Sequence, residues 1–186
     1  ESVVYNIFKH FKSEQVELYL ICSSEIAPYY SEVIDSEKCL ILGTFFNKPN
    51  NKYLQWANRY WKHKFKSDEK KLNRWAQKAL KFIDKHKITC MHANLVWDYQ
   101  IASSIKEIRP DLTYINTMHG TLALDPTDDY FPFFPRPTII KMLSNVDLFI
   151  SACQYFIDLL QLRQVPLRKT VLIPNGIDED LTQRDL

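Results

Sequence analysis

Six short runs are apolar almost from end to end: VELYLIC (16–22), KCLILG (38–43), ITCMHA (88–93), LTYINTMHG (112–120), VDLFIS (146–151) and TVLIP (170–174). A strand with one wet face alternates apolar and polar residues. A run apolar throughout is buried on both faces, which is the condition of a parallel sheet covered by helices. The stretches between the runs have helical period. In ESVVYNIFKHF, Val3, Val4, Ile7, Phe8 and Phe11 share one face, and further helices are expected at 50–65, 68–86, 98–109, 137–145 and 152–163, with a weaker piece near 26–34. Pro110 stops the 98–109 helix and Pro137 suits the first turn of the next. Strands alternating with helices make βαβ units, and right-handed crossovers then give an α/β fold: a Rossmann-like, doubly wound parallel sheet flanked by helices.

Composition narrows the function classes. The 186 residues suit one domain, and 46% hydrophobic residues are enough for a core. A net charge of +2 gives no dominant positive field, so nucleic acid is not an expected partner. Cys22, Cys39, Cys90 and Cys153 form no C-x-x-C pair and read as reduced, mostly buried thiols of a cytoplasmic protein. No apolar run reaches the about 18 residues of a membrane span. Three isolated glycines can build neither a G-x-G-x-x-G nor a P-loop fingerprint. His92 and His119 lack a second ligand pair, so no metal site is expected, and no G-x-S-x-G elbow is present.

Ligands of parallel α/β sheets bind beyond the carboxyl ends of the strands. Those ends carry His92 and Asn94, then His119, Gly120 and Thr121, then Ser151, and last Asn175 and Gly176. Each also has a plain structural role available. A histidine or asparagine can close a strand, Ser151 can cap a helix, and Asn175-Gly176 is a strong turn dipeptide. In so glycine-poor a chain, Gly120 and Gly176 are expected to mark positive φ or a close approach.

Two stretches stand apart. Residues 44–67 hold six basic residues and no acid; Lys52, Arg59, Lys62 and Lys66 fall on one helical stripe, with Tyr53, Trp56, Tyr60 and Trp61 on the neighbouring arc. A basic helix with aromatics suits an anionic membrane surface, while the same pattern also serves a solvated face over a packed one. The loop 124–137 is long, aromatic and stiffened by proline, as a lid over a site would be, and its Asp125, Asp128 and Asp129 could meet ligand hydroxyls.

The segment 146–178, VDLFISACQYFIDLLQLRQVPLRKTVLIPNGID, resembles the end of the N-terminal domain of retaining GT-B glycosyltransferases, family 4 of that class. The resemblance is carried by Asp, apolar strand, Ser, helix, basic turn and a closing Ile-Pro-Asn-Gly-Ile-Asp. INTMHG (115–120) is similar to the family's strand ending in Thr-x-His-Gly, and CMHAN (90–94) to its Ile-His-x-His strand, with Asn94 where a second histidine often stands. The resemblance implies one N-terminal Rossmann-like domain over 1–178 and the start of a linker at 179–186. A first strand with its glycine loop would precede Glu1, and a C-terminal domain would follow and bind most of the donor. It also implies catalysis by His119, with His92, Asn94, Gly120, Thr121, Ser151, Asn175 and Gly176 lining the substrate cleft. The expected function is transfer of a sugar from a nucleotide sugar to a glycan or lipid-linked acceptor, in polysaccharide or glycolipid synthesis. No cofactor is expected beyond that donor, and the expected location is cytoplasmic, peripheral on the inner face of the membrane. Two alternatives remain open at this point: a non-catalytic half of a split transferase or membrane-recruitment module, and a nucleotide-sugar epimerase of related fold.

Overall fold

The computed structural model describes residues 2–43, 64–94, 96–119 and 136–174. The chain divides into two compact units, Glu1–Lys87 and Ile88–Leu186. Every strand pairing among the described residues is parallel. The α/β, Rossmann-like fold expected from the apolar runs is therefore the fold of this chain: parallel sheets flanked by helices.

The first unit holds α1 (Ser2–His10), β1 (Leu20–Cys22), β2 (Cys39–Ile41) and α2 (Lys64–His86), with short 3-10 turns at Ala27–Tyr30 and Ser36–Lys38. The two strands pair with Leu20 beside Cys39 and Cys22 beside Ile41. The 16–19 part of the expected first strand is not strand. Ser13 Oγ instead accepts the amides of Gln15 and Val16, a local turn that competes with ladder pairing. The weak helical piece near 26–34 is the 3-10 turn, onto which Tyr5 and Phe8 of α1 pack through the ring of Tyr30. α2 runs 23 residues because its apolar side chains keep one stripe: Leu72, Trp75, Ala76, Ala79 and Ile83 are all buried. The helix expected at 50–65 lies outside the described residues except for its last two positions, which belong to α2.

The second unit is a four-stranded sheet in the order β3 (Cys90–Ala93), β4 (Thr113–Met118), β5 (Leu148–Ser151), β6 (Thr170–Leu172). Its connections are α3 (Val96–Ile108), α4 (Arg136–Leu143) and α5 (Gln154–Leu162). The strands are added in one direction, so right-handed crossovers bring all three helices to one face. The core agrees: Ala93, Tyr114, Met118 and Phe149 from alternate strand positions pack against Tyr99 and Ala102 of α3, Ile139, Met142 and Leu143 of α4, and Leu159 and Leu160 of α5.

An ionic clip holds the amino-terminal edge of this sheet. Asp147, just before β5, accepts Lys106 Nζ at 2.7 Å and the amide of Tyr114 at 2.9 Å on one oxygen, and Arg168 Nη1 at 2.6 Å on the other. Lys106 also donates to the carbonyls of Pro110 and Leu112. One carboxylate therefore ties α3, the start of β4, the start of β5 and the approach to β6. All four cysteines are free, as expected, but none is buried: Cys22 and Cys39 are half-buried, and Cys90 and Cys153 exposed. Cys90 opens β3 at the sheet margin and Cys153 lies in the β5–α5 connection, where neither meets the core.

Candidate functional site

Parallel register decides which strand-end groups can meet. His92 pairs with Ile115 and Ala93 with Asn116. Paired residues share a face, so His92 shares one with Ile115, with Thr117 two positions on, and in alternation with His119, the first residue past β4. The other face carries Tyr114, Asn116 and Met118 into the helix layer. The two histidines therefore gather at the carboxyl end of β3 and β4, on the face turned away from α3, α4 and α5.

The contacts follow this placement. His92 Nε2 lies 2.6 Å from Thr117 Oγ1, and the bond itself is half-buried, although both histidines are exposed overall. Burial lowers the pKa of His92 below the ordinary histidine value, and the nearby charge of His119 lowers it further. Burial also lowers that of His119. Both rings are therefore neutral at physiological pH, each with one N–H donor and one acceptor nitrogen.

Behind the histidines the helix layer holds a buried polar group. The Tyr99 hydroxyl donates to the carbonyl of Thr117 at 3.2 Å. Asn116 is fully buried, and among the described residues neither its side-chain atoms nor the Tyr114 hydroxyl has a hydrogen-bond partner. Burial raises the pKa of Tyr99 and of Tyr114 far above the usual phenol range. The nearby Asn116 side chain tempers the rise in both. Both phenols stay protonated at any working pH.

Of the residues singled out in the sequence, His92, Asn94 and His119 fall at the ends of β3 and β4, with Asn94 half-buried. Ser151 ends β5 but is fully buried; its hydroxyl donates to the carbonyl of Cys153 at 2.7 Å and accepts the amide of Cys153 at 3.4 Å. That hydroxyl shapes the turn into α5, whose N-cap position belongs to Cys153. Gly120, Thr121, Asn175 and Gly176 lie outside the described residues, as do the 124–135 part of the expected lid and Lys52, Tyr53, Trp56, Arg59, Tyr60 and Lys62 of the basic stripe. Lys66 falls within α2. Thr117 and Tyr99 escape sequence reasoning, since each is an ordinary member of a strand or helix pattern. The available signal was parity: 115, 117 and 119 share a face once β4 is accepted as a strand.

A parallel α/β chain with polar strand ends gathered at one sheet margin defines the class of Rossmann-like ligand-binding domains. Within that class, the model of Glycosyltransferase Family 4 matches residues 1–181. The chain belongs to that family, and a sugar donor and an acceptor are the substrates such a domain implies. Comparison with curated proteins gave no match.

Proposed function

We propose that this chain is the N-terminal, acceptor-side domain of a retaining glycosyltransferase that moves a sugar from a nucleotide sugar onto a glycan or lipid-linked acceptor. The observation that carries the reading is the meeting of His92 and His119 at the carboxyl end of β3 and β4, in a chain of a glycosyltransferase family. Sugar transfer from a nucleotide sugar builds negative charge on the departing diphosphate and positive charge on the sugar. Neutral imidazoles in a water-poor cleft can donate hydrogen bonds to sugar or phosphate oxygens without adding a competing positive charge. His119 takes that role, and His92 and Asn94 face the acceptor. The nucleotide is held mainly by a further domain, so the isolated chain does not turn over. The basic and aromatic spacing of Lys52, Tyr53, Trp56, Arg59, Tyr60, Lys62 and Lys66 supports docking on an anionic membrane surface at the cytoplasmic side.

The test is a panel of nucleotide sugars with the full-length enzyme and its His119→Ala variant. The expected outcome is transfer from at least one donor, with kcat lowered by about 100-fold in the variant. An unchanged rate removes His119 from the mechanism. Interconversion of donor sugars without transfer would favour the epimerase. Sedimentation with anionic and neutral vesicles decides the membrane reading; equal, negligible binding to both rejects it.

A further inference from the structure

Thr117 is held more firmly than its place in a short strand requires. Its backbone pairs with Ile150 of β5, and its carbonyl accepts the Tyr99 hydroxyl from the helix layer. The residue is 8% exposed, and β-branching leaves χ1 few choices. Its Oγ1 meets His92 Nε2 at 2.6 Å, a short bond between neighbouring strands.

The position of the proton in that bond follows from what each partner can tolerate. A buried hydroxyl whose hydrogen finds no acceptor loses its solvation without compensation, whereas an unused lone pair costs little. Were the imidazole to donate, the Thr117 proton would need a second acceptor, and the described contacts of Oγ1 give it only His92. With Thr117 as donor, the buried hydroxyl proton is used, and the ring's own proton sits on the exposed histidine, where solvent or substrate can accept it. His92 Nε2 is then an acceptor and Nδ1 carries the ring's proton. A protonated imidazolium cannot accept this bond, and burial already favours the neutral ring.

We propose that Thr117 is a positioning residue of the site: its hydroxyl donates to His92 Nε2, fixes the ring in the Nδ1–H tautomer, and presents Nδ1–H as an oriented donor to an oxygen of the acceptor substrate. The second half of this statement rests on the reading of the site as a sugar-transfer cleft. Tyr99 supports the arrangement from behind by anchoring the Thr117 peptide.

The experiment has two arms on the full-length enzyme. Long-range proton–nitrogen correlation spectra of 15N-histidine-labelled protein report which His92 nitrogen carries the proton. The expected result is Nδ1–H in the wild type and in Thr117→Ser, and a mixed tautomer population in Thr117→Val, which keeps the shape and removes the hydroxyl. An Nε2–H wild type, or a Thr117→Val spectrum like the wild type, overturns the proposal. In the kinetic arm, Thr117→Val lowers kcat/KM for the acceptor by about tenfold, the equivalent of one hydrogen bond, while Thr117→Ser restores most of it. Equal loss in both variants would mark a packing role and overturn the positioning role. Should the wild type transfer no sugar at all, the functional reading fails, and the spectra still decide whether Thr117 sets the tautomer.

Discussion

Replacing Asp147 with alanine removes the one carboxylate shared by four elements of the second unit. The cost can be built contact by contact. Lys106 is 11% exposed and Asp147 22%, so their 2.7 Å bond is a largely desolvated, charge-assisted one, worth about 1.5–3 kcal/mol. The amide of Tyr114 loses its 2.9 Å acceptor, a further penalty of about 1–3 kcal/mol if water does not replace it. Arg168 is 62% exposed, so its 2.6 Å contact adds about 1 kcal/mol at most. Two terms pull the sum down: Lys106 keeps the Pro110 and Leu112 carbonyls, and the carboxylate no longer has to be desolvated. The net expectation is about 3 kcal/mol for Asp147→Ala and under about 1 kcal/mol for Arg168→Ala. With a urea slope of about 2 kcal/mol/M, the midpoint falls by roughly 1.5 M in the first variant and barely in the second. Acid should erase the difference. Burial alone would raise the Asp147 pKa, but the bond from Lys106, the Tyr114 amide and the charges of Lys106 and Arg168 outweigh it and lower the value. The unfolded aspartate titrates near about 3.9, so the contribution is complete above that pH and is lost as pH falls through the lower folded value. Urea curves followed by circular dichroism from pH 7 to pH 2 provide the assay. An Arg168→Ala loss as large as that of Asp147→Ala, or an Asp147→Asn deficit that persists unchanged at pH 2, would refute the account.

Both site histidines should titrate below the ordinary value of about 6.5 in NMR spectra, and His119→Ala should move His92 part of the way back up, because burial remains as the larger cause. The lowered His92 value also means that stability is complete above the unfolded pKa and declines as pH drops towards the folded one. Gln164 closes α5 at φ 56, with the Val165 amide reaching back to the Leu160 carbonyl, a helix end that glycine fits without strain. Gln164→Gly should therefore stabilise by roughly 0.5–1 kcal/mol in a urea titration, and Gln164→Ala should not. Leu143, fully buried between α4 and the sheet, should cost about 2–5 kcal/mol on truncation to alanine, read as a fall in thermal midpoint.

The alternation of apolar runs with helical periods by itself determined the parallel α/β architecture, because that pattern depends only on which faces each segment must bury. Strand centres and helix stripes such as Leu72, Trp75, Ala76, Ala79 and Ile83 were legible for the same reason. So was the list of polar groups at strand ends: His92 lies near the end of β3, and Asn94 and His119 directly follow β3 and β4. Other features needed the three-dimensional arrangement. The positive φ among the described glycines falls at Gly43, where a Cβ would meet, among the described residues, only Trp75 Nε1 at 3.9 Å, so the backbone conformation itself favours glycine. The sequence does not show that the Ser151 hydroxyl turns onto the Cys153 carbonyl; the turn into α5 brings the two together. The Asp147 clip joins groups 41, 33 and 21 positions apart. The pairing of His92 with Thr117 requires a particular register between β3 and β4, and a slip of one residue would send Thr117 into the helix layer. Local patterning fixes which face each residue prefers, whereas register and rotamer are settled by partners distant in the chain. For that reason the tertiary structure alone brought the hydroxyl of Thr117 to the imidazole of His92.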